Sequence, residues 1–198
     1  MNQLEQLMDK RRFLLTGTSL ALLGATGCTT TSPSRDEPDV REHRRDLTHA
    51  AGEALARLHD QVPGSRELTD KARAVLVFPR VLSGGLVVGG SYGEGRLSGS
   101  RLAPAYYKVA SGSVGLLAGA QSRAMFLLFM TQDSLDRFIL GSGWTIGVDA
   151  SVALAKLGAN GQLDTASAQA PVVAFVLTNA GLMADLSLTG TRFMKSES

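Results

Sequence analysis

Val40, Leu47, Ala51, Ala54, Leu55 and Leu58 fall on one stripe at helical spacing. Asp39 is a good N-cap for this helix, Glu42 completes a capping-box-like pair, and Pro63-Gly64 ends it. The other side carries Arg41, Arg44, Arg45 and Asp46. Such a helix either packs on a sheet or lies on a membrane surface. Much of the stripe is alanine, with no Trp or Phe to insert, which favours packing. Ser65 then caps a short helix through about Arg73. Strands are expected at Val75–Phe78, Gly85–Ser91, Gly95–Ser100 and Ala105–Ala110, with one or two more between Gly112 and Met130. Ala124 to Met130 is apolar on both parities, the mark of a central strand buried on two sides.

Gln132 to Leu140 reads as a helix with Leu135, Phe138 and Ile139 on one side. Trp144, Ile146, Val148, Val152 and Leu154 alternate with smaller or more polar neighbours, as in a half-exposed strand. Leu157 to Ala170 is a polar connection. Val172–Leu177 and Leu182–Thr189 form a hairpin around Asn179-Ala180. In its second arm Leu182, Ala184, Leu186 and Leu188 face one way.

The stretch Lys71–Tyr107 organises the rest. Short Val and Leu runs alternate there with glycines, seven of them between Gly84 and Gly99. Glycine inside a strand costs entropy and removes a packing side chain, so this density implies bends, bulges or close backbone approach. A tightly curved antiparallel sheet beginning at Val75 follows.

The same stretch resembles the SYLF domain, a lipid-binding module also called the Ysc-type actin-binding domain. The resemblance rests on Val77-Phe78-Pro79, on Gly84-Gly85-Leu-Val-Val-Gly89-Gly90 and on Gly93-x-Gly95. Later stretches extend it: Ser113–Ser122, Gly143–Val148 and Gly181–Gly190. It runs from about Ser65 to about Met194 and looks like the bacterial branch. Asp149-Ala150 stands where the family commonly has Gly-Pro, and Leu102-Ala103-Pro104 replaces the aromatic-Ser-x-Pro of eukaryotic members. The fold class expected is α+β, with a curved, partly closed, barrel-like antiparallel β-sheet flanked by helices. Eukaryotic relatives bind phosphoinositides. For a bacterial member the resemblance implies phosphatidylglycerol, cardiolipin or another anionic headgroup.

The first residues read as a leader. Lys10, Arg11 and Arg12 form a basic n-region, and Phe13 to Leu23 an apolar h-region too short to span a bilayer. Met8 is an alternative start, and Lys10–Leu14 resembles a twin-arginine signal, which leaves the export route open. Ala25-Thr26-Gly27-Cys28 resembles a bacterial lipobox, with the Cys28 thiolate as the group that takes a lipid. Cys28 is the only cysteine, so no internal disulfide competes for it. The expected organisation is a signal peptide over 1–27, a lipidated Cys28 with a disordered tether over 28–38, and a SYLF-like domain over 39–198. Thr29 in place of Asp favours the outer membrane under enterobacterial sorting rules, hence its periplasmic face.

The chain has 198 residues and a formal net charge of +2, without the basic stripe of a nucleic-acid binder. No enzyme site assembles. His43, His49 and His59 lack the spacing of a helical metal pair and read as surface histidines. Asp133 and Asp136 read as helix-terminal charges, and no nucleophile elbow or phosphate loop is present. No metal or cofactor is expected. Lys71, Arg73, Arg80, Arg96, Arg101 and Lys108 cluster near the Gly-rich sheet as candidate headgroup contacts. The expected function is a membrane-anchored lipoprotein that binds anionic phospholipid. The alternative is a cell-envelope module whose sheet edge or helix stripe docks a protein.

Overall fold

The computed structural model describes residues 37–85, 88–100, 102–114, 121–158, 160–164, 169–183 and 186–196. The leader, Cys28, the tether up to residue 36, and Arg101 lie outside the described residues. Helix α1 spans Glu37–Gln61, and Ala51, Ala54 and Leu58 of the expected stripe are buried. Gly64, in the left-handed region at φ 81, turns the chain into α2, Ser65–Lys71. Ser65 is not the cap expected of it. Its buried hydroxyl donates instead to the Leu58 carbonyl, tying α2 back to α1.

Four strands follow: β1 Ala74–Gly85, β2 Val88–Gly99, β3 Leu102–Val114 and β4 Gln121–Phe129. The short pieces expected between Gly85 and Ser100 are one continuous strand. The glycines do not break it; they permit contact. A Cβ on Gly93 would sit 2.7 Å from the Arg80 carbonyl oxygen, and one on Gly99 2.7 Å from that of Arg73. One on Gly95 would sit 2.5 Å from the Phe78 ring. Pro79 lies in a bulge where the register of β1 slips against both β2 and β4.

Helix α3 is Gln132–Leu140, with the bounds expected, and the Thr131 side chain accepts from Ser134 N at its start. The remaining strands are β5 Trp144–Thr145, β6 Ala153–Leu154, β7 Val172–Thr178, β8 Gly181–Leu182 and β9 Arg192–Lys195. The alternating run from Trp144 to Leu154 is therefore not one strand. Gly147, at φ 86, turns it; Thr145 N donates to Asp149 Oδ2 at 2.6 Å, and Val148 is exposed. The hairpin at Asn179-Ala180 forms, but its second arm stops after two residues. Leu182 packs with one core and Leu186 and Leu188 with the other, so they do not share a face. Ala184 lies outside the described residues.

The nine strands make one sheet ordered β5-β9-β3-β2-β1-β4-β7-β6, with β8 on β7. All pairs are antiparallel except β6 with β7, so the sheet is mixed at one edge, where antiparallel pairing had been expected throughout. β5 and β4 stand five places apart, which is roughly 24 Å in a flat sheet. Yet the rings of Trp144 on β5 and Phe129 on β4 are 6.3 Å apart. The sheet must curl strongly to bring them together. Phe78, Tyr107, Phe129, Phe138, Trp144 and Phe193 fill the inside of the curl. Val75, Val77, Phe126, Leu128 and Phe175 form the outer core beneath α1. β4 and β7 are thus buried on both faces, as the apolar run of β4 predicts.

Candidate functional site

Residues directly opposite in an antiparallel ladder share a face. Because Gly93, Gly95 and Leu97 face the inner core side, Tyr92, Glu94 and Arg96 face outward, on the side of α1. The register then builds rows across β1, β2 and β3 on this outer face. Val77, Arg96 and Tyr106 form one row, Arg80, Glu94 and Lys108 the next. Beyond them come Leu82, Tyr92 and Ala110, then Gly84, Gly90 and Gly112. Successive rows are about 6.6 Å apart along the strands. From the helix outward the surface passes from charge to apolar side chains to bare backbone. Leu82 is 55% and Tyr92 49% exposed, so α1 does not reach over them.

The amino-terminal half of α1 stands beside the charged row. His43 Nε2 is hydrogen-bonded to Glu94 Oε2, and Tyr92 Oη donates to Glu94 Oε1 at 2.9 Å. Arg44 lies 4.9 Å over the Tyr106 ring, a cation–π contact. Burial alone would raise the Glu94 pKa. The hydrogen bonds from Tyr92 and His43, with the charges of His43 and Lys108, bring it below the ordinary carboxylate value instead. Glu94 is therefore an anion already satisfied from within.

Of the sequence-predicted cations, Arg80, Arg96 and Lys108 come together on this face. Lys71, the last residue of α2, and Arg73, just before β1, are exposed; Arg73 is seven residues from Arg80, about 23 Å along a strand, and Lys71 lies further back still. Arg101 lies outside the described residues. Arg96 is half-buried, and its Nε has no hydrogen-bond partner.

Residues 110–198 match the family described as Ysc84, Las17-binding protein actin regulator. This second part of the chain is thus similar to the SYLF family, in agreement with the resemblance read from the sequence. No curated protein matches the chain. The resemblance seen from Ser65 onward is thus matched from the end of β3, and the rows on β1 and β2 precede the matched residues.

Sequence reasoning missed Glu94, Leu82 and Tyr92 as parts of this surface. The signal was present: in Tyr92-Gly-Glu94-Gly-Arg96, large polar residues alternate with glycine at period two, which sets glycine inward and charge outward. The first helix presents Arg41 and Arg45 to solvent, whereas Arg44 folds back onto Tyr106. Among the described residues no group of three His, Cys, Asp or Glu could hold a metal ion, and no helix is long and apolar enough to cross a membrane. A cleft of about 420 Å³ opens beside Tyr106, lined also by Arg44, Leu102, Pro104, Ile139 and Lys195.

Two histidines are less free than a surface reading implies. His43 holds Glu94, and His59 Nε2 lies 2.9 Å from Thr69 Oγ1. Burial, followed by the Arg66 charge, lowers the His59 pKa, against the pull of Asp70 and Asp60. Between that lowered value and the ordinary 6.5 the unfolded chain binds more protons than the folded one. The His59 contribution to stability is therefore full above the ordinary value and is lost as pH falls from there towards the folded value. The urea midpoint should drop between about pH 7.5 and about pH 5.5, and drop less in His59→Gln. Equal drops in the two proteins would exclude His59 as the cause.

Proposed function

We propose that the chain is a lipid-anchored envelope protein whose SYLF-family domain lies against an anionic phospholipid surface. The role is binding, without turnover. Contact is made by the outer face of β1, β2 and β3, and the observation that carries this is the exposed Leu82–Tyr92 row between a cationic row and a bare glycine row. At an interface, Arg80 and Lys108 meet headgroup phosphates, at about 1 kcal/mol per cation. Leu82 and Tyr92 enter the acyl boundary, and Gly84, Gly90 and Gly112 let headgroups approach the backbone. Cys28 precedes Glu37 by nine residues, a reach of about 30 Å when extended. Helix α1 carries Arg41 and Arg45 beside the same face, so an anchor at Cys28 and this surface serve one bilayer. The periplasmic face of the outer membrane is the setting the leader and Thr29 favour.

The test uses the chain without its first 28 residues and vesicles of phosphatidylglycerol or phosphatidylcholine. Sedimentation should show salt-sensitive binding to the anionic vesicles. Arg80→Glu with Lys108→Glu should weaken it by about 2–4 kcal/mol, since each change removes a cation and adds repulsion. Leu82→Ser with Tyr92→Ser should remove the part that salt does not screen. Arg41→Glu with Arg45→Glu reports the helix alone. If both sheet variants are folded and bind like the parent, this surface is not the contact.

A second reading is a protein-interaction or structural module of the envelope. It is favoured by the family description, which names the protein partner Las17, and by the cleft at Tyr106 and Lys195. Absence of vesicle binding at low salt would select it.

A further inference from the structure

The inner face of the curl ends in a polar group that the lipid reading does not use. Ser83, Ser91 and Ser111 stand opposite one another on β1, β2 and β3. Arg123 on β4 is opposite Val81, so it shares their face. Its Nη2 donates to Ser91 Oγ at 3.2 Å, reaching across β1 to do so, and Ser91 Oγ lies 2.9 Å from Ser111 Oγ. Ser83 is 8% exposed and its hydroxyl has no hydrogen-bond partner; neither has the buried Nε of Arg123. No carboxylate among the described residues pairs with Arg123. The two connections at this end of the sheet, residues 86–87 and 115–120, contain no acidic residue. Burial alone lowers the Arg123 pKa.

A half-buried guanidinium whose Nε is buried without a counter-charge is costly, and so is an orphaned buried hydroxyl beside it. Arg offers donors only, and each hydroxyl can donate as well. The cluster therefore carries a positive charge and spare donors, and among the described residues it has no anionic acceptor. Its donors come from different strands, so they approach from several directions. A tetrahedral oxyanion presents oxygens in that arrangement, whereas a carboxylate presents two along one edge. Arg123, Ser91 and Ser111 are each half-buried, which leaves the cluster open to a ligand at the end of the sheet.

We propose that Arg123, Ser83, Ser91 and Ser111 form a binding site for a phosphate group at the end of the curled sheet's inner face. The site lies on the opposite face from the Leu82–Tyr92 surface, and neither depends on the other. The phosphate comes from a soluble phosphate or from a lipid headgroup.

The experiment follows the Arg123 Nε–H signal by NMR in the full chain held in nonionic detergent micelles. The probes are inorganic phosphate, glycerol 3-phosphate and a short-chain phosphatidylglycerol. A saturable shift with at least one probe is expected. Response to the soluble probes assigns a soluble source; response to the lipid alone assigns a headgroup. Arg123→Leu should bind the responding probe at least tenfold more weakly, read by calorimetry, while its melting temperature stays the same or rises. The proposal is overturned if no probe moves the signal, or if Arg123→Leu binds as the parent does. Leu82→Ser with Tyr92→Ser should leave the phosphate response intact, so failure of the membrane-docking reading remains distinguishable.

Discussion

Phe138→Ala should lower the unfolding free energy by about 3–5 kcal/mol, the range for truncating a large buried aromatic residue. Phe138 is 2% exposed and is the meeting point of the inner core. Its ring lies 4.8 Å from Tyr107, 4.8 Å from Phe129, 5.4 Å from Trp144 and 6.3 Å from Phe193. These partners stand on β3, β4, β5 and β9, so a single side chain on α3 joins elements from both halves of the sheet. Edge and tilted ring contacts add about 0.5–1.5 kcal/mol per pair to the area term. A domain of this size commonly has about 5–15 kcal/mol in total. The variant is therefore expected to melt roughly 10 °C lower and to lose near-UV dichroism from Trp144. Leu140→Ala on the same helix removes a side chain that is 85% exposed, and should change stability by less than about 0.5 kcal/mol. If the two variants prove equally stable, α3 is not pinned through Phe138.

Gly95→Ala should be nearly as damaging, for a different reason. The backbone of Gly95 is not in the left-handed region, so alanine suffers no torsional penalty there. Its Cβ would instead lie 2.5 Å from Phe78 Cδ1 and 2.7 Å from the Val77 carbonyl oxygen. The Phe78 ring is fully buried and the carbonyl belongs to the adjacent strand, so neither can retreat cheaply. Overpacking of this kind costs about 1–3 kcal/mol, and Gly95→Val should exceed that. Gly112→Ala provides the contrast, since its Cβ would meet nothing within 4 Å. Removing a glycine's freedom from the unfolded chain can then stabilise by about 0.4–1 kcal/mol. Urea midpoints of the two alanine variants measured side by side should move in opposite directions. A neutral Gly95→Ala would mean that curvature does not depend on close packing of β2 against β1.

The elements read most accurately from sequence are those whose signal is local. Gln132–Leu140 carries a helical period over its whole length, and the stretch from Ala124 is apolar on both parities, which only a central strand satisfies. β9 has neither cue. It has four residues, and its partners on β3 lie far back in the chain. The Trp144–Leu154 alternation misleads because Gly147 reverses the chain inside it. For the site, residue types were legible but grouping was not, because register decides it. In plain alternation Arg80 would share the inward face of Leu76 and Phe78. The bulge at Pro79 inserts one residue and turns Arg80 outward, beside Glu94 and Lys108. A single slipped residue thus moves a cation from the interior side to the surface. Lys71 and Arg73 are close to Arg80 in sequence but are separated from it by the extended strand itself.

At its two ends the sheet finishes in β5 and β6, each two residues long. β9 covers β3 from Tyr107 to Ala110, and the stretch of β3 ahead of it contains Pro104, which has no amide hydrogen to offer. A peptide seeking to extend the ladder would find only two consecutive residues in either terminal strand. Among the described residues these terminal strands therefore offer little ladder for strand addition, whereas the faces of the sheet offer broad surfaces. Copies crowded onto one surface likewise meet only two-residue strands at the two ends of this sheet.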